Sequence, residues 1–279
     1  MTLPDDLPGQ LPPLIPANGP GRLFMLCDPE RAEAAISQPA QWSDLLLRLG
    51  LLSLPLPEMG GEPVRLLFGD ARIDMVQGGA ARAMLDDSLS RDATRTTKSV
   101  AELPPHMAAV GSAVIALEHG QPSLDRAMET QRLCALAALL APFVGARHLY
   151  WQPARLWSAV DALAQAVTAM EATGLPPVLH LIAFVASVAS SGRRLDVSTR
   201  GLDWFSGFEM MVDAPADMPE QEVVRRAARL AIDSLLNGDP SGPVDLPGLI
   251  AGETVSIAPL AWQDGHWWLP VTISGWQNR

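Results

Sequence analysis

Along this chain, short apolar runs alternate with longer stretches in which apolar residues recur every three or four positions, separating strands from helices. Leu23 to Leu26 predicts a short strand, and Val64 to Phe68 with Ile73 to Val76 predict a hairpin about Gly69-Asp70. Pro29 to Ser37 and Trp42 to Leu49 predict short helices, and Gly79 to Val100 carries Ala83, Met84 and Leu89 at helical spacing. The run His106 to Glu118 predicts a buried strand. Pro122 to Leu140 then predicts a helix with an apolar face of Leu133, Leu136, Ala137 and Leu140.

The second half follows with a strand at Arg147 to Trp151 and a helix opened by Pro153. That helix runs through Leu156, Val160, Leu163 and Val167 to Thr173 and stops at Gly174. Val178 to Val188, Leu195 to Val197 and Phe208 to Val212 are strand patterns. Pro219 to Leu236 predicts a helix ending at Asn237-Gly238, and Ser256 to Leu260 and Trp267 to Ile273 predict the last strands.

Two segments share one order. Ala71-Arg72 and Ala146-Arg147 each open an apolar run ending in Gln77 or Gln152. Each run leads to an amphipathic stretch, then Leu-Pro-Pro (103–105 and 175–177), then an Ala/Val/Ile-rich segment closing on Gly120 or Gly192. The pattern predicts an α+β fold, a two-layer sandwich with helices on a mostly antiparallel sheet. It would arise by internal duplication of a strand-helix-strand-helix unit (pseudo-repeats about 64–142 and 146–260), the two copies joining in one continuous sheet. Residues 1–20, rich in Pro and Gly, are expected to form an extended arm, and 21–279 a single domain.

Charge narrows the partners. The formal net charge is -11, and Lys98 is the only lysine. Nucleic acid is disfavoured, because phosphate contacts need a basic face, and so is an anionic membrane surface. A basic protein partner or a cationic ligand remains compatible. The acidic N-terminus lacks the basic and apolar regions of a signal peptide. The longest weakly charged run, Val178 to Ser191, is short of the roughly 20 residues that span a bilayer. A cytoplasmic location is expected. Cys27 and Cys134 lie in separate apolar contexts without metal or redox spacing, as two buried free thiols.

Chemistry concentrates in 199–209, where Thr199, Gly201, Trp204, Phe205 and Glu209 lie together between two strand patterns. Thr199, Gly201, Leu202, Phe205 and Glu209, with the later turn Gly252-Glu253-Thr254, make the chain resemble the domain of unknown function 4261 family of uncharacterised bacterial proteins. It departs at Ser206, where that family has glycine, and at Met211, where a second acidic residue is common. The resemblance implies a bacterial origin and no established activity. On the residues themselves, Gly201 permits a turn closed to other residues, Leu202 and Phe205 fill the core edge, and Glu209 caps the turn or pairs with an arginine such as Arg200. Alternatively, Thr199, Arg200, Trp204 and Glu209 line a groove as polar anchors beside an apolar wall, reached by His119 at a strand end.

The histidines show no metal spacing, and no Gly-rich phosphate loop or nucleophile elbow is present, so neither metal nor cofactor is expected. His148 and His180 read as satisfied histidines within strands. Of eight tryptophans, Trp262, Trp267, Trp268 and Trp276 crowd the C-terminal region. Trp267 and Trp268 either present a partner surface or cover the end of a sheet. Two functions follow from these features. The first is a non-enzymatic binding or accessory module acting through protein contacts, in an immunity-like role for example. The second is an enzyme or small-ligand binder centred on Arg200, Trp204 and Glu209. The missing catalytic motifs lean the chain away from an enzyme.

Overall fold

Strict alternation along β1 (Arg22–Cys27) sets up the first half of the molecule. Leu23, Met25 and Cys27 point into one core, and Phe24 and Leu26 into a second on the opposite face. A strand apolar on both sides must be covered on both sides. β1 accordingly lies inside an eight-stranded sheet of order β2-β3-β4-β6-β1-β7-β8-β5. Its members are β2 (Leu52–Ser53), β3 (Val64–Phe68), β4 (Ala71–Gln77), β5 (Lys98–Ser99), β6 (Ala113–His119), β7 (Ala146–Trp151) and β8 (Leu156–Ala159). The computed structural model describes residues 21–37, 44, 47, 52–53, 64–68, 71–90, 98–99, 113–119, 125–188, 194–238, 242–263 and 265–276.

Helix α1 (Pro29–Ser37) follows β1, and α2 (Gly78–Ser90) covers one face of the sheet, placing Ala81 and Leu85 against Phe24, Val76 and Tyr150. The other face carries α3 (Arg126–Val144), with Leu133, Leu136, Ala137, Leu140 and Val144 buried. Asp125 caps α3 by accepting a hydrogen bond from the Met128 N–H at 2.9 Å, and Gly145, at φ 61°, ends it. These caps place α3 four residues later than Pro122 to Leu140 suggested. By length and hydropathy α3 also matches a membrane span, so an apolar segment of that length does exist. Half of it is buried inside the protein, packed on β1, β6, β7 and α4 (Val160–Thr173).

A second sheet takes the order β12-β13-β15-β11-β10-β9. It comprises β9 (Ala183–Val188), β10 (Arg194–Arg200), β11 (Glu209–Pro215), β12 (Val244–Pro247), β13 (Thr254–Ile257) and β15 (His266–Ser274), with β14 (Ala261–Gln263) hairpinned onto β15. β11 and β15 run parallel, joined through the long helix α7 (Glu220–Asn237); the remaining pairs of this sheet are antiparallel. Val223, Ala227 and Ala231 bury the inner stripe of α7, which packs on β10 and β11. Two short helices, α5 (Val178–Leu181) and α6 (Asp203–Ser206), complete the set used below. One apolar core runs from Leu23 through α3 and α4 to Ile273, spanning both sheets.

The class is α+β with mostly antiparallel pairing, but the expected continuous sheet is two sheets. β4 and β6 are neighbours in one sheet, whereas β7 and β9 lie in different sheets. Two element assignments also change. Pro153 opens a tight turn, not a helix: Trp151 pairs with Leu156 and Tyr150 with Trp157 in a hairpin, and α4 starts at Val160. Leu156, Trp157 and Ser158 are all buried, so the strand has no alternation to betray it, and Leu156–Val160–Leu163 mimics a helical stripe. Val178–Leu181 forms a helical turn after Pro176-Pro177, and strand pairing begins only at Ala183. Thus His180 sits on a helix, where its Nδ1 meets the Ser158 hydroxyl at 2.9 Å and burial lowers its pKa.

The predicted arm, the Gly69-Asp70 turn, the first Leu-Pro-Pro and most of Trp42 to Leu49 lie outside the described residues. Phe68 nevertheless stands opposite Ala71, as a hairpin requires.

Candidate functional site

The segment singled out in the sequence is a compact strand-turn-helix-strand unit. β10 ends at Arg200, Gly201 turns the chain, α6 makes one helical turn, and β11 begins at Glu209. Gly201 has φ 92°, and a Cβ there would lie 2.7 Å from Ala154 Cβ and 2.8 Å from its Cα. Only glycine lets the 152–155 turn of the first sheet rest on the end of β10. Leu202 is fully buried beneath it.

Glu209 is buried, and its carboxyl organises the turn. Thr199 Oγ1 donates to Oε2 and the Gly201 N–H to Oε1, each at 2.6 Å, while the Met210 N–H donates back to Thr199 Oγ1 at 2.7 Å. Asp203 supplies a further side-chain hydrogen bond. Burial first, then the charge and hydrogen bond of Asp203, raise the Glu209 pKa well above the usual carboxyl range, against the pull of Thr199 and Gly201. A second carboxyl in low dielectric thus favours the neutral form of Glu209.

Two arginines stand on the facing wall. Arg200 donates through Nε to the Ala154 carbonyl at 2.8 Å, fixing its guanidinium against the turn. Arg155 closes that turn, its N–H bonded to the Gln152 carbonyl, and adopts φ 51°. A non-glycine residue in the left-handed region costs on the order of 1 kcal/mol, and such strain gathers at functional positions. Thr199, Arg200, Asp203, Glu209 and Arg155 line one cavity of about 340 Å³, with Trp268 and His266 from the start of β15. The cavity thus sits where the first sheet's β7–β8 turn meets the second sheet.

Of the residues singled out in sequence, Thr199, Arg200 and Glu209 come together, and Trp268 joins them in the lining of the cavity. Trp204 turns away from the cavity. It meets Trp151 edge-on at 5.4 Å and Phe205 at 4.9 Å, with the Arg126 guanidinium 4.8 Å above its ring. A Cβ on Gly21 would strike it at 2.5 Å. It is a joint between the two halves. His119 lies elsewhere, its Nε2 on the Glu129 carbonyl at 2.8 Å, tying β6 to α3. Trp267 is half-buried and stacks edge-on with Trp262 at 5.2 Å, and Trp262 is the exposed ring, at 61%.

Arg155 and Asp203 were not foreseen. Arg155 was hidden inside a presumed helix, and Asp203 stood among the unspecified positions of the motif, although a carboxylate six residues before Glu209 across a glycine turn was its signal. The later turn Gly252-Glu253-Thr254 is structural: Glu253 is buried and clamped in bidentate fashion by Arg226 on α7, at 2.7 and 2.6 Å. Among the described residues no three His, Cys, Asp or Glu side chains gather as a metal cluster. Cys27 and Cys134 are free and buried, and burial pushes both thiols up to about 12. No family model matches the chain, and no curated protein or solved structure matches it either.

Proposed function

We propose that the chain is a small-ligand binder whose site is the cavity between the 152–155 turn, β10–α6–β11 and the start of β15. The observation that carries this reading is convergence: two arginines, the carboxyls of Asp203 and Glu209, Thr199 and Trp268 meet at one cavity of about 340 Å³. A concave site with a few fixed polar groups and a perturbed titration is the usual form of a ligand pocket. Binding is favoured over turnover, because Glu209 is committed to holding the turn through Thr199 and Gly201. Membership of the family that the 199–209 motif resembles belongs to the same proposal, resting on Thr199, Gly201, Leu202, Phe205 and Glu209.

A fragment library screened by protein-observed NMR tests this directly, with the Trp268 indole assigned through Trp268→Phe. Hits are expected to shift that indole and the amides of 199–209. Hits confined to other surfaces would sink the proposal.

One observation favours protein contact as a second reading. Trp262 is exposed on the β14–β15 hairpin of a protein carrying net charge -11, and exposed tryptophan is typical of interface anchors. If a basic partner docks there, Trp262→Ser weakens its capture at least tenfold without changing the melting temperature; equal capture by both forms rules this reading out.

A further inference from the structure

We infer that the cavity takes an anionic sugar, a small hydroxylated ring bearing one carboxylate or phosphate, with the anion on Arg155 and Arg200, hydroxyls on Asp203 and a ring face on Trp268. The inference rests on reading this cavity as a ligand site, and it names what that site selects.

Charge is the first argument. Arg155 and Arg200 bring two guanidinium groups to the wall, a geometry suited to planar carboxylate or tetrahedral phosphate. Burial and Asp203 raise the Glu209 pKa, which weakens the negative charge set against the arginines. A guanidinium pair on one wall favours an anionic ligand over a neutral or cationic one.

Hydroxyl chemistry is the second. Glu209 accepts from Thr199 and Gly201, so Asp203 is the member of the pair whose oxygens serve a ligand, and carboxylate oxygens only accept. Hydroxyl groups match that demand without adding positive charge. Carboxyls bonded to each other are closer than the roughly 5–9.5 Å that glycoside cleavage uses, so the pair reads the sugar and does not cut it. Trp268 supplies the flat apolar wall that the C–H face of a sugar ring covers.

Strain is the third. Arg155 holds φ 51° although glycine would hold it freely, so the position retains a guanidinium against backbone preference. This also gives a variant: Arg155→Gly removes the charge while suiting the backbone.

Calorimetry on the full chain with glucuronate, glucose 6-phosphate, glucose and glucosamine decides the matter. Glucuronate or glucose 6-phosphate should bind at least about tenfold more tightly than glucose and glucosamine, as a charge-assisted contact implies. Whichever of the two binds more tightly identifies the anion. In Arg155→Gly that preference should fall about tenfold while the variant still melts cooperatively. Equal affinity for glucose and glucuronate, tighter binding of glucosamine, or a preference untouched by Arg155→Gly would each overturn the inference while leaving the cavity as a ligand site. The same holds if none of the four sugars binds but fragments still reach Trp268. Should fragments miss Trp268 as well, the underlying reading fails with it.

Discussion

At the scale of the residue, Glu209 does two things that conflict in water and agree in the protein. It accepts two short hydrogen bonds, which favour the anion, yet it is buried beside Asp203, which favours the acid, and the acid wins. The linkage sign follows. Between the ordinary carboxyl value of 4.5 and its raised value, folded Glu209 holds a proton that the unfolded chain has released. Its contribution to stability is complete below 4.5 and is lost as pH rises through the raised value, at up to about 1.4 kcal/mol per pH unit. Glu209→Gln mimics the protonated acid and has nothing to release. Urea titrations of both proteins from pH 4 to 9 should show the wild type losing ground to the variant as pH rises. Parallel curves would mean that Glu209 is ionised in the folded protein. The sequence placed Thr199, Gly201 and Glu209 in one motif, whereas the role of Asp203 comes from the one helical turn that brings it back to Glu209.

At the scale of the element, α7 is held by more than its apolar stripe. Arg226, on the same helix as the buried Val223, Ala227 and Ala231, is itself 2% exposed. It reaches Glu253 in the loop before β13 and Glu222 one turn back, with the Trp276 ring 5.2 Å from its guanidinium. Burial opposes the charge on Glu253, but the Arg226 hydrogen bonds and the Leu249 N–H outweigh it and leave the carboxyl below its usual range. Removing one partner strands the other charge in the interior, so Arg226→Ala should destabilise by roughly 3–5 kcal/mol in urea unfolding. A loss under about 1 kcal/mol would show that water replaces the pair without difficulty.

α7 and β11, each with one wet face, follow their periodicity closely. Segments buried without alternation do not. β8, buried at Leu156, Trp157 and Ser158 alike, and the turn at Val178–Leu181 carry no period to read.

At the scale of the molecule, composition and alternation specify the α+β class but not how strands divide between sheets, since that depends on pairings between distant residues. The Arg147–Trp151 strand pattern suits a second copy of the first unit, yet its partner is β1, far behind it in the chain, with Phe24 opposite Tyr150. The cavity inherits the same difficulty. Its arginines come from two sheets, and the sequence showed only the half that lies in one motif.

The placement of β15 has a consequence for how the molecule assembles. β15 is not at an edge; it lies between β13 and β11, and its register sets Trp268 opposite Glu209. That pairing closes a loop holding all of α7, β12, β13 and β14, and non-local pairing of this kind is slow. Until it forms, β11 is an open edge, Trp268 is absent from the wall, and the site has no floor. Recognition therefore depends on that pairing, and a chain without it carries the motif, the acid pair and both arginines but cannot enclose anything.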